Sequence, residues 1–163
     1  MFELKTISWG AIQRALEKAE RYRLLNEPEE AESICLDILQ IDPENQQALI
    51  TLLLALTDQF DMRLPASRPR ELLPRLKGEY ERAYYAGIIC ERRVRALLNQ
   101  GTPGARIAAY DGLREAMEWY EKAEAIRPSG NDDAMLRWNA CARLIMGNNL
   151  VAAEEEKTHF MLE

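Results

Sequence analysis

Residues 15–43 read ALEKAERYRLLNEPEEAESICLDILQIDP, and this stretch decides the fold. Ala15, Ala19 and Tyr22 fall at i, i+4 and i+7, which places them on one face of a helix. Past a short corner, Ala31, Ile34, Cys35, Ile38, Leu39 and Ile41 form a second apolar stripe. Asn26 suits the left-handed residue that closes a helix, and Pro28 suits a first helical turn, where its missing N–H would have no partner. Two antiparallel helices joined so tightly must cross closely, so the crossing favours small side chains such as Ala19 and Ala31. Asp42 and Pro43 then stop the second helix and start a third, with Asp42 as N-cap and Pro43 at the first helical position.

Outward from this hairpin the helical periodicity continues. The first helix covers residues 8–25 with Ser8 as its cap, the second about 28–41, and the third runs from 43 or 44 to about 59. Leu49, Leu52, Leu53 and Leu56 line one side of that third helix while Ile50 and Leu54 fall on another, so it is apolar nearly all round. Periodicity stops in an irregular insertion at about 61–76, where Pro65, Ala66, Ser67 and Pro69 read as loop. From Leu72 to Leu98 the spacing predicts a long helix, or a short one running into a longer one, with Pro74 and Gly78 marking a break. Gly101 and Thr102-Pro103 predict a turn. A helix from 103 to 127 and another over 131–146, capped by Asn131 or Ser129, follow, and 150–163 reads as a closing helix or frayed tail. The expected class is all-α, with about seven helices in a single domain spanning 1–163.

A second copy of the opening signature stands in AMEWYEKAEAIRP, where Ala116, Tyr120, Ala123 and Pro128 repeat it. Ala31 precedes Pro43 by twelve places, and Ala116 precedes Pro128 by the same twelve. Together these segments resemble the tetratricopeptide repeat, a 34-residue helix-turn-helix. Ala15, Ala19, Tyr22, Ala31, Cys35 and Pro43 match its positions, while Lys18 and Cys35 stand where Leu and an aromatic residue are usual. The best-matching repeats are 12–60 and 105–146. Pro43 and Pro128 lie 85 residues apart, about 17 more than two standard repeats occupy, and the excess falls in the insertion and in the hairpin around Gly101. The resemblance implies a right-handed solenoid of stacked antiparallel helix pairs.

Composition is that of an ordinary globular chain, 47% apolar and 29% charged over 163 residues. The first residues lack a basic segment followed by an apolar run, and no apolar run reaches the ~18 residues of a membrane span, so a cytoplasmic protein without membrane contact is expected. Cys35, Cys90 and Cys141 lie far apart inside helical patterns and read as core; the lone His159 has no Cys or His nearby, so no metal or cofactor is expected. Charge is uneven: −7 over residues 1–61, +6 over 62–114 and −5 over 115–163.

No catalytic constellation is visible. GARIAAYDG lacks the Gly-Lys-Ser/Thr end of a phosphate loop, and no serine has a neighbouring histidine. Acidic pairs such as Glu29/Glu30 and Asp132/Asp133 sit at helix starts, where they meet the helix dipole. The expectation is a non-catalytic protein–protein interaction module, an adaptor or scaffold whose partner is a protein or peptide. By register with the family, the residues facing a concave groove are Gln13, Leu16, Glu20, Arg23, Gln47, Ile50, Leu54 and Thr57. Leu16, Glu20 and Thr51 stand where the chaperone-binding subclass carries its clamp of Lys and Asn, which disfavours that partner. Two alternatives compete: a homo-oligomeric structural subunit burying the same apolar positions between copies, and an RNA-binding repeat using Arg82, Arg92, Arg93 and Arg95. Nucleic acid is the weaker, because Glu79, Glu81 and Glu91 interleave with those arginines.

Overall fold

The computed structural model describes residues 1–161, apart from the side chain of Glu156. Among the described residues there are eight α-helices and no strand: α1 Ile12–Leu24, α2 Pro28–Ile41, α3 Gln46–Thr57, α4 Ser67–Arg70, α5 Glu79–Gln100, α6 Ala105–Ala125, α7 Asp133–Gly147 and α8 Ala153–Met161. Leu162 and Glu163, the end of the expected closing helix, lie outside the described residues. No helix among them is long and apolar enough to cross a membrane. The chain forms two compact units, Met1–Lys77 and Gly78–Glu163.

In the first unit α1 packs against α2, α2 against α3, and α1 touches α3. The α1–α2 corner is a Schellman motif. Asn26 adopts φ 59°, its N–H donates to Arg23 O at 3.0 Å, and the Glu27 N–H donates to Tyr22 O at 2.9 Å. Pro28 opens α2 as its spacing predicts. Ala19, Ala31 and Cys35 are fully buried, so both helix faces meet where side chains are smallest.

The start of the third helix differs from expectation. Asn45, not Asp42, caps it: its Oδ1 accepts from the Ala48 N–H at 2.9 Å, and its Nδ2 donates to Asp42 Oδ2 at 3.1 Å. Asp42 instead closes α2, and Pro43 lies in the link. Likewise Ser8 makes no side-chain cap; a 3-10 turn at Trp9–Ala11 leads into α1. Asn45→Ala should cost about 1 kcal/mol, measurable as a lower urea midpoint.

The insertion is built rather than loose. Two 3-10 turns, Phe60–Met62 and Leu73–Arg75, flank α4, and the segment buries Phe60, Pro69, Leu72 and Leu76. Glu32 of α2 accepts from Gln59 Nε2 at 2.8 Å and from Arg68 Nη2 at 2.6 Å. At the other end Arg75 Nη2 donates to Pro43 O at 2.9 Å, and Gln46 Oε1 accepts from the Lys77 N–H at 2.9 Å. The strap is thus tied to the α2–α3 pair twice.

In the second unit α5 and α6 form a long hairpin, and α7 packs against α6. Gly101 (φ 64°) ends α5 and Gly104 (φ 77°) precedes α6. The break expected near Gly78 falls there, with α5 starting at Glu79. The two long helices approach most closely where glycine faces a large side chain: a Cβ on Gly87 would stand 2.5 Å from Tyr120 Cε1, and one on Gly112 would stand 2.5 Å from Val94 Cγ2. Gly→Ala inside a helix ordinarily stabilises by about 0.5–1 kcal/mol. Because the Tyr120 ring is fully buried and has nowhere to go, Gly87→Ala should instead destabilise by about 1–3 kcal/mol. Gly147→Ala, with nothing within 4 Å of the added Cβ, should show the ordinary sign in the same thermal melts.

Candidate functional site

The eight residues assigned to a groove lie on α1 and α3, but not all at the surface. Leu16 and Thr57 are 3% and 4% exposed and belong to the core; the Thr57 hydroxyl donates to Leu54 O at 2.7 Å. Gln13 is exposed, beside Glu17 of its own helix. Across the two helices Gln47 Nε2 donates to Glu20 Oε1 at 3.2 Å, and Arg23 forms a two-pronged ion pair with Asp58 at 2.8 and 3.3 Å. Ile50 and Leu54, one turn apart, are half-buried, while every other apolar side chain of α3 is buried. The face therefore presents two aliphatic side chains in a helix pair whose polar flanks are already held in place.

The arginines of α5 do not form one basic surface. Arg93 is exposed, but Arg95 Nε donates to Glu91 Oε2 at 3.2 Å, and Arg82 and Arg92 also make interactions of their own. Glu91, interleaved with these arginines in the sequence, does not stand among them at the surface. It is 1% exposed.

Around that carboxylate the second unit assembles a cluster from three helices. Oε1 accepts from Tyr120 Oη of α6 at 3.1 Å, from Arg137 Nε of α7 at 3.1 Å and from Cys141 Sγ at 3.4 Å. Oε2 accepts from Arg95 and from Arg137 Nη2. A planar guanidinium meeting both carboxylate oxygens is the strongest such geometry. Burial pushes the Glu91 carboxyl up, but the Arg137 hydrogen bonds and charge, with the Arg95 charge, outweigh it and hold the group below the usual carboxylate range. Burial and the Glu91 charge push Cys141 up to about 12, and the same two causes raise Tyr120. Burial likewise pushes Cys35 up to about 12. Both thiols are thus protonated near neutrality, unlike a reactive cysteine.

A signal for this cluster exists in the sequence. Tyr80, Tyr84, Gly87, Glu91, Val94 and Leu98 repeat at steps of three or four, so Glu91 interrupts an otherwise uncharged stripe. Tyr84 continues the stripe in space, stacked on Tyr80 at 5.8 Å and tilted against Tyr120 at 5.9 Å between ring centroids.

A cavity of about 420 Å³ lies between the start of α6 and α8, lined by Arg106, Leu150, Glu155, His159 and Phe160 among others. Arg106 Nη2 donates to Asn148 O at 2.7 Å, and this mixed-sign lining has no single charge preference. Among the described residues no three His, Cys, Asp or Glu side chains gather as metal ligands. No family model, curated protein or solved structure matches this chain.

Proposed function

We propose that the chain is a tetratricopeptide-type helical-repeat protein acting as a non-catalytic interaction module, with the α1–α3 face as its docking surface. Ile50 and Leu54 carry the reading: they alone among the apolar side chains of α3 remain half-buried. The full burial of Ala19, Ala31, Ala116, Tyr120 and Ala123 supports the repeat assignment, because these are the signature's close-crossing positions. The partner is an apolar helix or an extended peptide whose side chains cover Ile50 and Leu54. The part-buried Arg23–Asp58 pair fixes one flank beforehand, which lowers the ordering cost of binding.

The test is capture of protein partners by wild type and by Ile50→Asp/Leu54→Asp, with circular dichroism on both. A folded double variant should lose the captured partner, and undiminished capture would overturn the assignment of this face. Light scattering separates the self-associating alternative, in which the same substitutions convert a stable oligomer to monomer.

A further inference from the structure

Helix α7 meets the α5–α6 hairpin with few fully buried side chains of its own. Of its 15 residues only Ala134 and Cys141 are fully buried, with Met135, Trp138, Leu144 and Ile145 half-buried, whereas α6 fully buries seven residues and α5 nine. Leu136 and Met146 are 62% and 67% exposed. Polar ties supplement this half-buried seam. Trp138 Nε1 donates to Glu121 Oε1 at 3.0 Å, and Arg106 Nη2 donates to Asn148 O just past the helix end; both ties are exposed. The ties whose acceptor is buried both end on Glu91: the charged pair from Arg137 and the weaker contact from Cys141 Sγ.

That asymmetry has a physical consequence. An exposed tie exchanges easily for water and contributes little, while a carboxylate removed from water holds its donors strongly. The Arg137 side chain is itself 35% exposed, so water already reaches one side of the guanidinium. Next to this clip, α5 and α6 are joined directly by the interlocking of Gly87 with Tyr120 and of Gly112 with Val94, contacts that need no residue of α7.

We propose that α7 is a detachable helix, clipped to the α5–α6 hairpin by Arg137 on Glu91, and that it lifts as a unit while α5 and α6 stay paired. Lifting bares Glu91 and carries Cys141 into water. The hinge is the Ile126–Asp132 link, where Pro128 and Gly130 (φ 80°) break the helical path. Such partial opening, easier than global unfolding, is how regulated elements are drawn from the less stable part of a structure.

The chain carries its own reporters, because its three cysteines are all buried and sit in different places: Cys35 on α2, Cys90 on α5 and Cys141 on α7. Under native conditions, alkylation followed by peptide mass spectrometry should label Cys141 of the wild type ahead of Cys35 and Cys90. Its rate should be insensitive to low urea, as local opening exposes little surface. Arg137→Gln should accelerate Cys141 labelling by at least about tenfold and leave Cys35 unchanged. Equal rates at all three cysteines in the wild type, or a common acceleration in the variant, would mean that α7 opens only with the whole fold and would overturn the proposal. So would a Cys141 rate unaffected by Arg137→Gln. Should Arg137→Gln fail to fold, the wild-type order and its urea dependence decide alone.

Discussion

Glu91→Ala should destabilise the protein by about 3–5 kcal/mol, read as the loss in unfolding free energy by urea titration. The substitution removes the acceptor for Tyr120, Arg137, Cys141 and Arg95 together. What remains is a guanidinium beside a buried hydroxyl, each deprived of its partner, and the desolvation penalty falls on both. Glu91→Gln keeps the volume and one acceptor oxygen, so it should cost less than Glu91→Ala. The pair also predicts a pH dependence. Because Arg137 and Arg95 hold Glu91 below its ordinary range against the upward push of burial, folding favours the ionised carboxylate. The sign follows from proton linkage: this contribution is complete above the unfolded-state value of about 4.3 and is lost as pH falls through the lower folded value. The stability gap between wild type and Glu91→Gln should therefore hold from neutrality down to about pH 5 and close on further acidification. A gap that widens below that range would contradict the assignment.

The second large effect is at Tyr120, where Tyr120→Ala should cost about 3–5 kcal/mol. Its ring is fully buried, wedged against the Gly87 backbone and tilted on Tyr84, so truncation opens a cavity lined on one side by a glycine that cannot fill it. Tyr120→Phe separates the ring from the hydroxyl. It keeps the packing and removes a hydrogen bond to a charged acceptor, for an expected loss of about 1.5–3 kcal/mol. In a double-mutant cycle Tyr120→Phe and Glu91→Gln should be non-additive, because both act on one 3.1 Å contact. Additive losses would show that the hydroxyl finds its partner elsewhere.

Much of the fold was legible because it is written in short-range chemistry. The Asn26 corner, Pro28 at a helix start, the Gly101 turn and the break near Gly78 each depend on backbone preferences that a single residue reveals. The small-residue positions Ala19, Ala31, Ala116 and Ala123 were legible for the same reason, since periodicity alone puts them on helix faces. Less legible was the capping of α3, where Asp42 and Asn45 are both good caps three residues apart and only the direction of the Asn45 side chain decides. The insertion read as loop because its burial comes from single residues, Pro69, Leu72 and Leu76, with no repeating interval to announce them.

The candidate surface and the buried cluster illustrate opposite failures. On α1 and α3, register with a repeat family named eight residues, but Leu16 and Thr57 point into the core, because adjacent positions on a tightly crossed helix differ by a fraction of a turn. On α5, Glu91 stands among Arg92, Arg93 and Arg95 in the sequence, while its partners Tyr120 and Arg137 lie 29 and 46 residues distant. No local rule pairs residues so far apart. The interrupted stripe around Glu91 marks the spot, yet it identifies the anomaly and not its resolution.

The tip of the long hairpin offers a practical consequence. Between Gly101 and Gly104 the chain is exposed, both glycines have open space around a would-be Cβ, and the residues there donate nothing to the interlocked middle of α5 and α6. A fluorophore, an epitope or a fused domain spliced at that apex would be carried outward on two rigid arms. The second unit thus contains a ready attachment point where a spectroscopic label would leave the packed middle of α5 and α6 untouched.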